Sequence, residues 1–384
     1  MILQQNINRL SYWERSVFFD DFQTVVLGSG IVGLNAALHL RKLDPSRKVL
    51  VIERGAIPSG ASTKNAGFAC YGSMTELLDD LKKIDESTVW NLVERRFLGL
   101  QRLRQKIGDA YLRYEGLGGY ELFRADESDI FQECQEYIPA FNRMARSITG
   151  LSETYRITDN RITDFGFKGV EHLILNAGEG QINTGYMMQR LLQLANEAGV
   201  QIINGLEIKK IAPDQGGITL HTQDDWSLHF EQCIVATNGF AKQLLPDLDV
   251  SPARNQVLIT PPIRNLPIVG SFHYDRGYYY FRNIDGRLLL GGGRNLALLE
   301  EQTDAFGHTE LIQKALLQLL NEVILPGQNI PAESWWSGIM GLGERKVPIL
   351  QKISPNLVVA VRMGGMGVAI GTLVGEEAAE LLID

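Results

Sequence analysis

Three short stretches carry side chains that could do chemistry. In YYYFR (residues 278–282) strand side chains alternate, so Tyr278, Tyr280 and Arg282 share one face. Two phenols and a guanidinium could line a pocket and grip an anion. The same face could also be a sheet interior in which the arginine answers a carboxylate, because a buried cation needs a partner either way. In GASTKNAG (60–67), the residues Ala61, Ser62, Thr63, Lys64, Asn65, Ala66 and Gly67 offer two hydroxyls, an amide and one cation, with no large apolar side chain. Lys64 reads equally as a cation beside a ligand or as a solvated loop residue. Glu53 closes a buried run, VLVIE, and its carboxylate can accept hydrogen bonds from a ribose diol while repelling a 2′-phosphate.

The elements that must position these groups read clearly at the start of the chain. TVVL (24–27) is a short, β-rich apolar run of the buried parallel type. GSGIVG follows, then LNAALHLRKL with helical spacing, then the second strand ending at Glu53, about 20 residues beyond Gly33. Gly28 permits the tight turn, Gly30 the approach of a pyrophosphate, and Gly33 close helix–strand packing. Ser29 and Ile31 lie in the same turn, where free helix N–H groups meet phosphate. Strand, turn, helix, strand and acid in this order specify a dinucleotide site, with Arg54 just after the acid.

A nicotinamide enzyme has no evident need for GASTKNAG or for a glycine turn opening a C-terminal helix. A flavin ring needs both. Its N1–C2=O edge gathers negative charge on reduction, which a helix N-terminus can stabilise. RMGGMGV supplies that through Gly364, Gly365, Met366, Gly367 and Val368. A second buried strand, CIVATNG, ends in the turn of Ala236, Thr237, Asn238 and Gly239, and Ile208 in LEIKKI falls on the same cofactor side.

Between Met74 and Gly150 the pattern is mainly helical, and NTGYMMQRLLQLANEAG begins at a cap, Asn183 or Thr184. YYYFRNIDGRLLLGGG reads as a hairpin about Asp285–Gly286. The fold class expected is α/β (α+β), with the nucleotide-binding elements in one discontinuous domain, 1–80, 165–250 and 333–384, and a second domain made of two insertions, 81–164 and 251–332.

With 37 basic and 45 acidic side chains the net charge is −8, against broad nucleic-acid binding. Cys70, Cys134 and Cys233 lie far apart, with no metal-type spacing, and suit a reduced compartment. MILQQNINRL lacks the layout of a secretory leader, and glycines interrupt the most apolar windows. A cytoplasmic protein without a transmembrane segment or metal is expected. None of the six histidines sits in a nucleophile or metal motif, and each reads as structural or surface.

The order GSGIVG, VIERG, GASTKNAG, CIVATNGF, YYYFRNIDGRLLLGGGR, WWSGIMG, NLVVAVRMGGMGVAIGTLVGEEAAELL resembles the D-amino-acid oxidase/glycine oxidase-like FAD-dependent oxidoreductases across nearly the whole chain. SYWE ahead of the first strand resembles the gamma-glutamylputrescine oxidoreductase branch. The resemblance implies a Rossmann-like FAD-binding domain and a substrate-binding domain of antiparallel sheet plus helices over the flavin, with GASTKNAG lining the flavin ring, Gly338 of the WxG segment nearby and YYYFR above it. The implied reaction is oxidation of a small amino acid or amine by hydride transfer to flavin N5, followed by hydrolysis of the imine. The implied partners are that substrate and an electron acceptor, oxygen or a quinone. The alternatives are C–O oxidation of a 2-hydroxy acid, a role in tRNA modification, which the acidic charge disfavours, and a non-catalytic nucleotide-binding flavoprotein. Relatives with covalent FAD use a histidine in the loop or a cysteine near WxG. This chain has Lys64 and no cysteine over 335–344, so non-covalent FAD is expected. Met340 stands near the position where amino-acid oxidising relatives often carry a carboxylate-clamping arginine. Either Arg282 is then the anchor, with Tyr278 or Tyr280 beside it and Lys64, Arg294, Arg345 and Arg362 the remaining candidates, or the substrate reacts at an amine without an α-carboxylate.

Overall fold

The computed structural model describes residues 10–214 and 216–384. The stretch MILQQNINR, on which the reading about a leader rests, lies outside them.

Thr24–Leu27 is the centre of a six-stranded sheet because every one of its residues is buried on both faces. Val49–Glu53 and Gln201–Asn204 extend the sheet on one side. Gln232–Val235, Leu357–Val361 and Ile349–Ser354 extend it on the other. All pairings are parallel except the last edge strand, as apolar runs linked by crossovers demand. Ligands of such sheets sit at the carboxyl ends of the strands, and GSGIVG, Glu53 and the Thr237 turn all fall there.

The helix Ile31–Leu43 packs on this sheet, and the closing helix Gly367–Ile383 packs on that helix. Their contact is close because it is made through small residues: a Cβ at Gly375 would meet Val32 O and Asn35 Cβ. The long helix Glu86–Ile107 crosses the closing helix at Gly99, where a side chain would strike the Ala369 carbonyl. SYWE forms a capping box, with Ser11 and Glu14 exchanging bonds around the first turn of Tyr12–Phe18.

The second sheet has eight strands in the order Ser334–Leu342, Ser251–Ile259, Arg287–Gly292, Tyr279–Ile284, Ser271–Tyr274, Gly119–Arg124, Val170–Asn176, Tyr155–Ile157. It is antiparallel but for Ser271–Tyr274 beside Gly119–Arg124. Its hairpin turns at Asp285 and Gly286, both left-handed (φ 48° and 69°). The fold is therefore a mixed α/β arrangement built on one mostly parallel and one mostly antiparallel sheet, with a three-stranded sheet and a two-stranded pair beside them. Two strands sit in the antiparallel sheet although the expected boundaries at 165 and 333 group them with the nucleotide-binding segments: Val170–Asn176 and Ser334–Leu342. Glu86–Ile107, grouped with the substrate segments, packs on the closing helix instead. Sheet membership depends on pairing across the chain, and the local hydrophobic pattern by which the boundaries were drawn does not record it.

Candidate active site

A cavity of about 550 Å³ runs from the carboxyl ends of the parallel strands to the face of the antiparallel sheet. At the nucleotide end, Glu53 is held by three donors: Ser29 N at 3.1 Å, Ser29 Oγ at 2.8 Å and Gly55 N at 2.9 Å. The carboxylate is thus fixed at the cavity edge. Gly33 lets the helix sit against the Gly28 carbonyl, where no side chain fits. Ser62 Oγ accepts the Ile31 N–H at 2.9 Å, so the GASTKNAG loop is tied to the first turn of the dinucleotide helix.

That loop is built by its own polar side chains. Ala61–Lys64 forms one helical turn. Thr63 Oγ1 donates to Pro58 O at 2.6 Å, which fixes the loop and turns this side chain away from the cavity. Asn65 Oδ1 accepts Gly67 N at 2.8 Å and Thr184 Oγ1 at 2.9 Å. Trp336 Nε1 donates to Lys64 O at 2.9 Å, and Lys64 Nζ lies 4.9 Å over the Phe306 ring. Asn238 Oδ1 accepts from Arg362 N and Met363 N, which docks the Thr237 turn onto the Gly364–Gly367 turn.

Of the residues singled out from sequence, Gly28, Gly30, Ile31, Glu53, Arg54, Ala61, Ser62, Lys64, Asn65, Ala66, Ile208, Ala236, Thr237, Asn238, Gly338, Gly364, Gly365, Met366, Gly367 and Val368 border the cavity, as do Tyr278, Tyr280 and Met340. Ser29, Gly33, Thr63, Gly67 and Gly239 stand behind it. Ser29 orients Glu53, while a side chain at Gly239 would meet the Met340 backbone.

Arg282 is a correction. It is 3% exposed and does not border the cavity. Its Nη1 donates to Gly67 O at 2.9 Å and Ile182 O at 2.8 Å, and Nε donates to Asn283 O at 3.2 Å. Burial without a contacting carboxylate draws the guanidinium down to about 10. Tyr278 and Tyr280 reach the cavity; the next side chain on that face ends beneath the loop and clamps it. Arg362 is also committed, to Asp249 and the Val347 carbonyl. Arg294 and Arg345 do border the cavity, and Arg294 lies 5.8 Å from the Tyr278 ring centre.

The sequence reading missed a charged wall. Glu76, Asp79 and Lys83 border the cavity from one helix and the residues after it, with Lys346 and His273 opposite. Burial pushes Glu76 up, but Lys346 at 3.4 Å and Arg96 at 3.5 Å outweigh it and hold the carboxyl below its ordinary value. Lys346 also meets Asp80 at 2.8 Å. The three-residue spacing of Glu76 and Asp79 was the available signal. His273, read as structural or surface, borders the cavity, and burial draws it down to about 4. Cys70 borders it too, with Sγ 3.7 Å from Met366 Sδ; burial pushes its thiol well up, so little thiolate forms there. Among the described residues, no cluster of His, Cys, Asp and Glu fits a metal ion, and no helix is long and apolar enough to cross a membrane.

The family model of FAD dependent oxidoreductases, DAO, matches residues 23–381. The chain belongs to the DAO family. FAD is therefore its cofactor, and the cavity fits it. Thr237 Oγ1 is a buried hydroxyl on the cavity with no partner among the described residues, and the closing helix starts with no side-chain cap, which leaves the N–H groups of Gly367 and Val368 without a hydrogen bond among the described residues. The DAO chain is 20% identical over 400 residues to "Probable oxidoreductase OrdL" of Haemophilus influenzae, covering 96% of this chain and 88% of the relative. In fold it is similar to L-proline dehydrogenase from P. horikoshii (TM-score 0.74, 19% identity, 95% of this chain and 94% of that one). It is also similar to glycine oxidase from Bacillus cereus (TM-score 0.72, 17% identity, 94% and 95%).

Proposed function

We propose that this DAO-family protein oxidises the C–N bond of a small amino acid or amine, with FAD held non-covalently. FAD, when bound, supplies the acceptor for the hydride leaving the substrate carbon, and water hydrolyses the resulting imine. The chain's own residues hold, orient and exclude water. Glu53 would take the ribose, the helix start at Ile31 the pyrophosphate, the Ala61–Ala66 loop one edge of the ring system and the Gly364–Val368 turn another.

The observation that carries the substrate reading is the far half of the cavity, walled by the phenols of Tyr278 and Tyr280, the thioether of Met340 and the half-buried Arg294. Arg294 has no ion pair among the described residues, so its planar fork is free for a substrate carboxylate. The relatives named for acting on proline and glycine agree with that chemistry. The test is anaerobic mixing of the purified yellow protein with panels of amino acids, secondary amines and 2-hydroxy acids, followed by flavin absorbance. Bleaching by an amino acid or amine supports the reading. Bleaching by hydroxy acids alone, or by nothing in any panel, refutes it.

A further inference from the structure

We propose that His273 accepts the proton of the substrate's amine and that Glu179 decides which ring nitrogen does so. The inference rests on the amine reading above. His273 lies on the Ser271–Tyr274 strand, opposite Tyr280 on one side and Glu121 on the other. Its ring borders the cavity and meets Phe68 edge-on at 5.2 Å, the same ring that flanks Tyr280 at 5.7 Å.

Nε2 of His273 is sealed and has no hydrogen-bond partner among the described residues. It faces Oε2 of Glu179 at 3.8 Å. Glu179 is 1% exposed, and its Oε1 is occupied by Tyr71 N at 3.0 Å and Gly72 N at 3.2 Å, so Oε2 is the oxygen left for the imidazole. A sealed, unpartnered nitrogen is rare and costly, and a carboxylate before it favours the tautomer with the proton on Nε2. The lone pair then sits on Nδ1, the nitrogen that is not sealed, on a ring that borders the cavity.

The surrounding charges support a switch near neutrality. Burial lifts Glu179 to about 7, against the pull of its two backbone donors, with Glu76 and Glu121 adding to the rise. Burial by itself draws His273 down to about 4, with Glu76 pulling the other way and its charge shared with Lys346 and Arg96, so the ring takes a proton from an ammonium only when Glu179 is ionised behind it. The remaining titratable neighbours, Tyr71, Tyr280 and Cys70, are all pushed up by burial and stay uncharged.

The step balances simply. The substrate enters as an ammonium; its N–H bond breaks, the proton passes to Nδ1, and the electron pair stays on nitrogen, where it can form the C=N bond as hydride leaves carbon. Ionised Glu179 stabilises the imidazolium that results, because the Nε2–H then points at a full negative charge.

The experiment has two arms on the FAD-loaded enzyme. In the first, long-range 15N NMR reads the tautomer, with His273 assigned by the signals lost in His273→Asn. The parent should show Nε2–H above pH 7. Glu179→Gln should show Nδ1–H, because its oxygen stays with the Tyr71 and Gly72 donors and its NH2 faces Nε2. In the second, stopped-flow flavin reduction by whichever amine bleaches the parent should rise with pH through about 7. His273→Asn and Glu179→Gln should each be slower by about 10²–10⁴-fold at unchanged FAD content, and Glu179→Gln should lose the pH dependence. Glu179→Gln tests the pair by itself if His273→Asn does not fold. An Nδ1–H tautomer in the parent, or parental reduction rates in the folded variants, overturns the proposal. If no amine or amino acid bleaches the parent, the amine reading fails, and with it the role of His273 as acceptor.

Discussion

Arg282→Met separates a clamp from a substrate anchor. The guanidinium holds Gly67 O, at the end of the flavin-side loop, and Ile182 O, just before the helix Thr184–Glu197. Methionine keeps most of the volume and removes both of these bonds and the longer one from Nε to Asn283 O. Gly67 O retains the Ile182 N–H at 2.8 Å, while Ile182 O loses its 2.8 Å donor and Asn283 O its 3.2 Å one. A hydrogen bond from a charged donor contributes about 1.5–3 kcal/mol, and a buried orphan carbonyl costs about 1–3 kcal/mol. Relief from burying an unpaired cation offsets part of this, leaving a net loss of about 2–4 kcal/mol. Gly67 cannot compensate by substitution: its φ is +75°, and an added Cβ would meet Arg282 Nη1 at 2.7 Å and the Ile182 carbonyl. Denaturant unfolding followed by far-UV circular dichroism reads the stability, and free-flavin fluorescence on dilution reads FAD loss. Both should worsen, while the FAD-loaded fraction reduces with a substrate dependence within about twofold of the parent. A variant with parental stability and FAD retention that needs about tenfold or more substrate would refute the reasoning and restore Arg282 as the anchor.

Four further outcomes follow from the same geometry. Glu53→Ala should raise the apoprotein fraction visibly, since a charge-assisted bond to ribose is worth about 1.5–3 kcal/mol; unchanged FAD affinity would contradict the placement of the ribose. Acid precipitation should release all the FAD, with flavin retained in the pellet as the contrary result. Arg294→Met should raise the amino-acid concentration needed for half-reduction by about tenfold or more with little effect on FAD content, and Arg294→Lys should recover only part, because a point charge does not reproduce the planar fork. Burial raises Glu121 to about 7, so the folded state binds that proton more tightly than the unfolded chain. Its contribution is fully present below about pH 4.5 and is lost as pH rises through 7. The denaturant midpoint should therefore rise as pH falls from 8 to 5, and Glu121→Gln should flatten part of that slope; an identical slope would place the titration elsewhere.

Much of the cavity wall proposed to hold the cofactor was legible as a set of local features. The turn at Gly28–Gly33, the acid closing the second strand, the self-bonded loop of Thr63 and Asn65, and the Gly364–Gly367 turn each depend on neighbours within a few residues. The substrate side was not legible in the same way. Alternation along YYYFR correctly sets Tyr278, Tyr280 and Arg282 on one face, but it says nothing of depth, and depth separates the two phenols from the arginine. His273 meets Glu179 only because Ser271–Tyr274 pairs in parallel with a strand more than a hundred residues earlier. Glu76 finds Lys346 and Arg96 through similar long-range folding. No motif marks such encounters.

The central strand Thr24–Leu27 has consequences for how the protein is made. Its two partners are Val49–Glu53, which follows at once, and Gln232–Val235, which arrives far later. At about 5–20 residues per second a ribosome takes roughly 10–40 s to deliver the second. During that interval one edge of a mostly apolar strand is open to any other extended chain nearby, and the helix Ile31–Leu43 waits longer still for the closing helix that packs on it. A nascent chain of this design has reason to need shelter, and on the proposed placement of the flavin the Gly364–Val368 turn that would border it is among the last parts to be made. Slow synthesis or flavin shortage should therefore appear as aggregation of the young protein before it appears as loss of activity in the old.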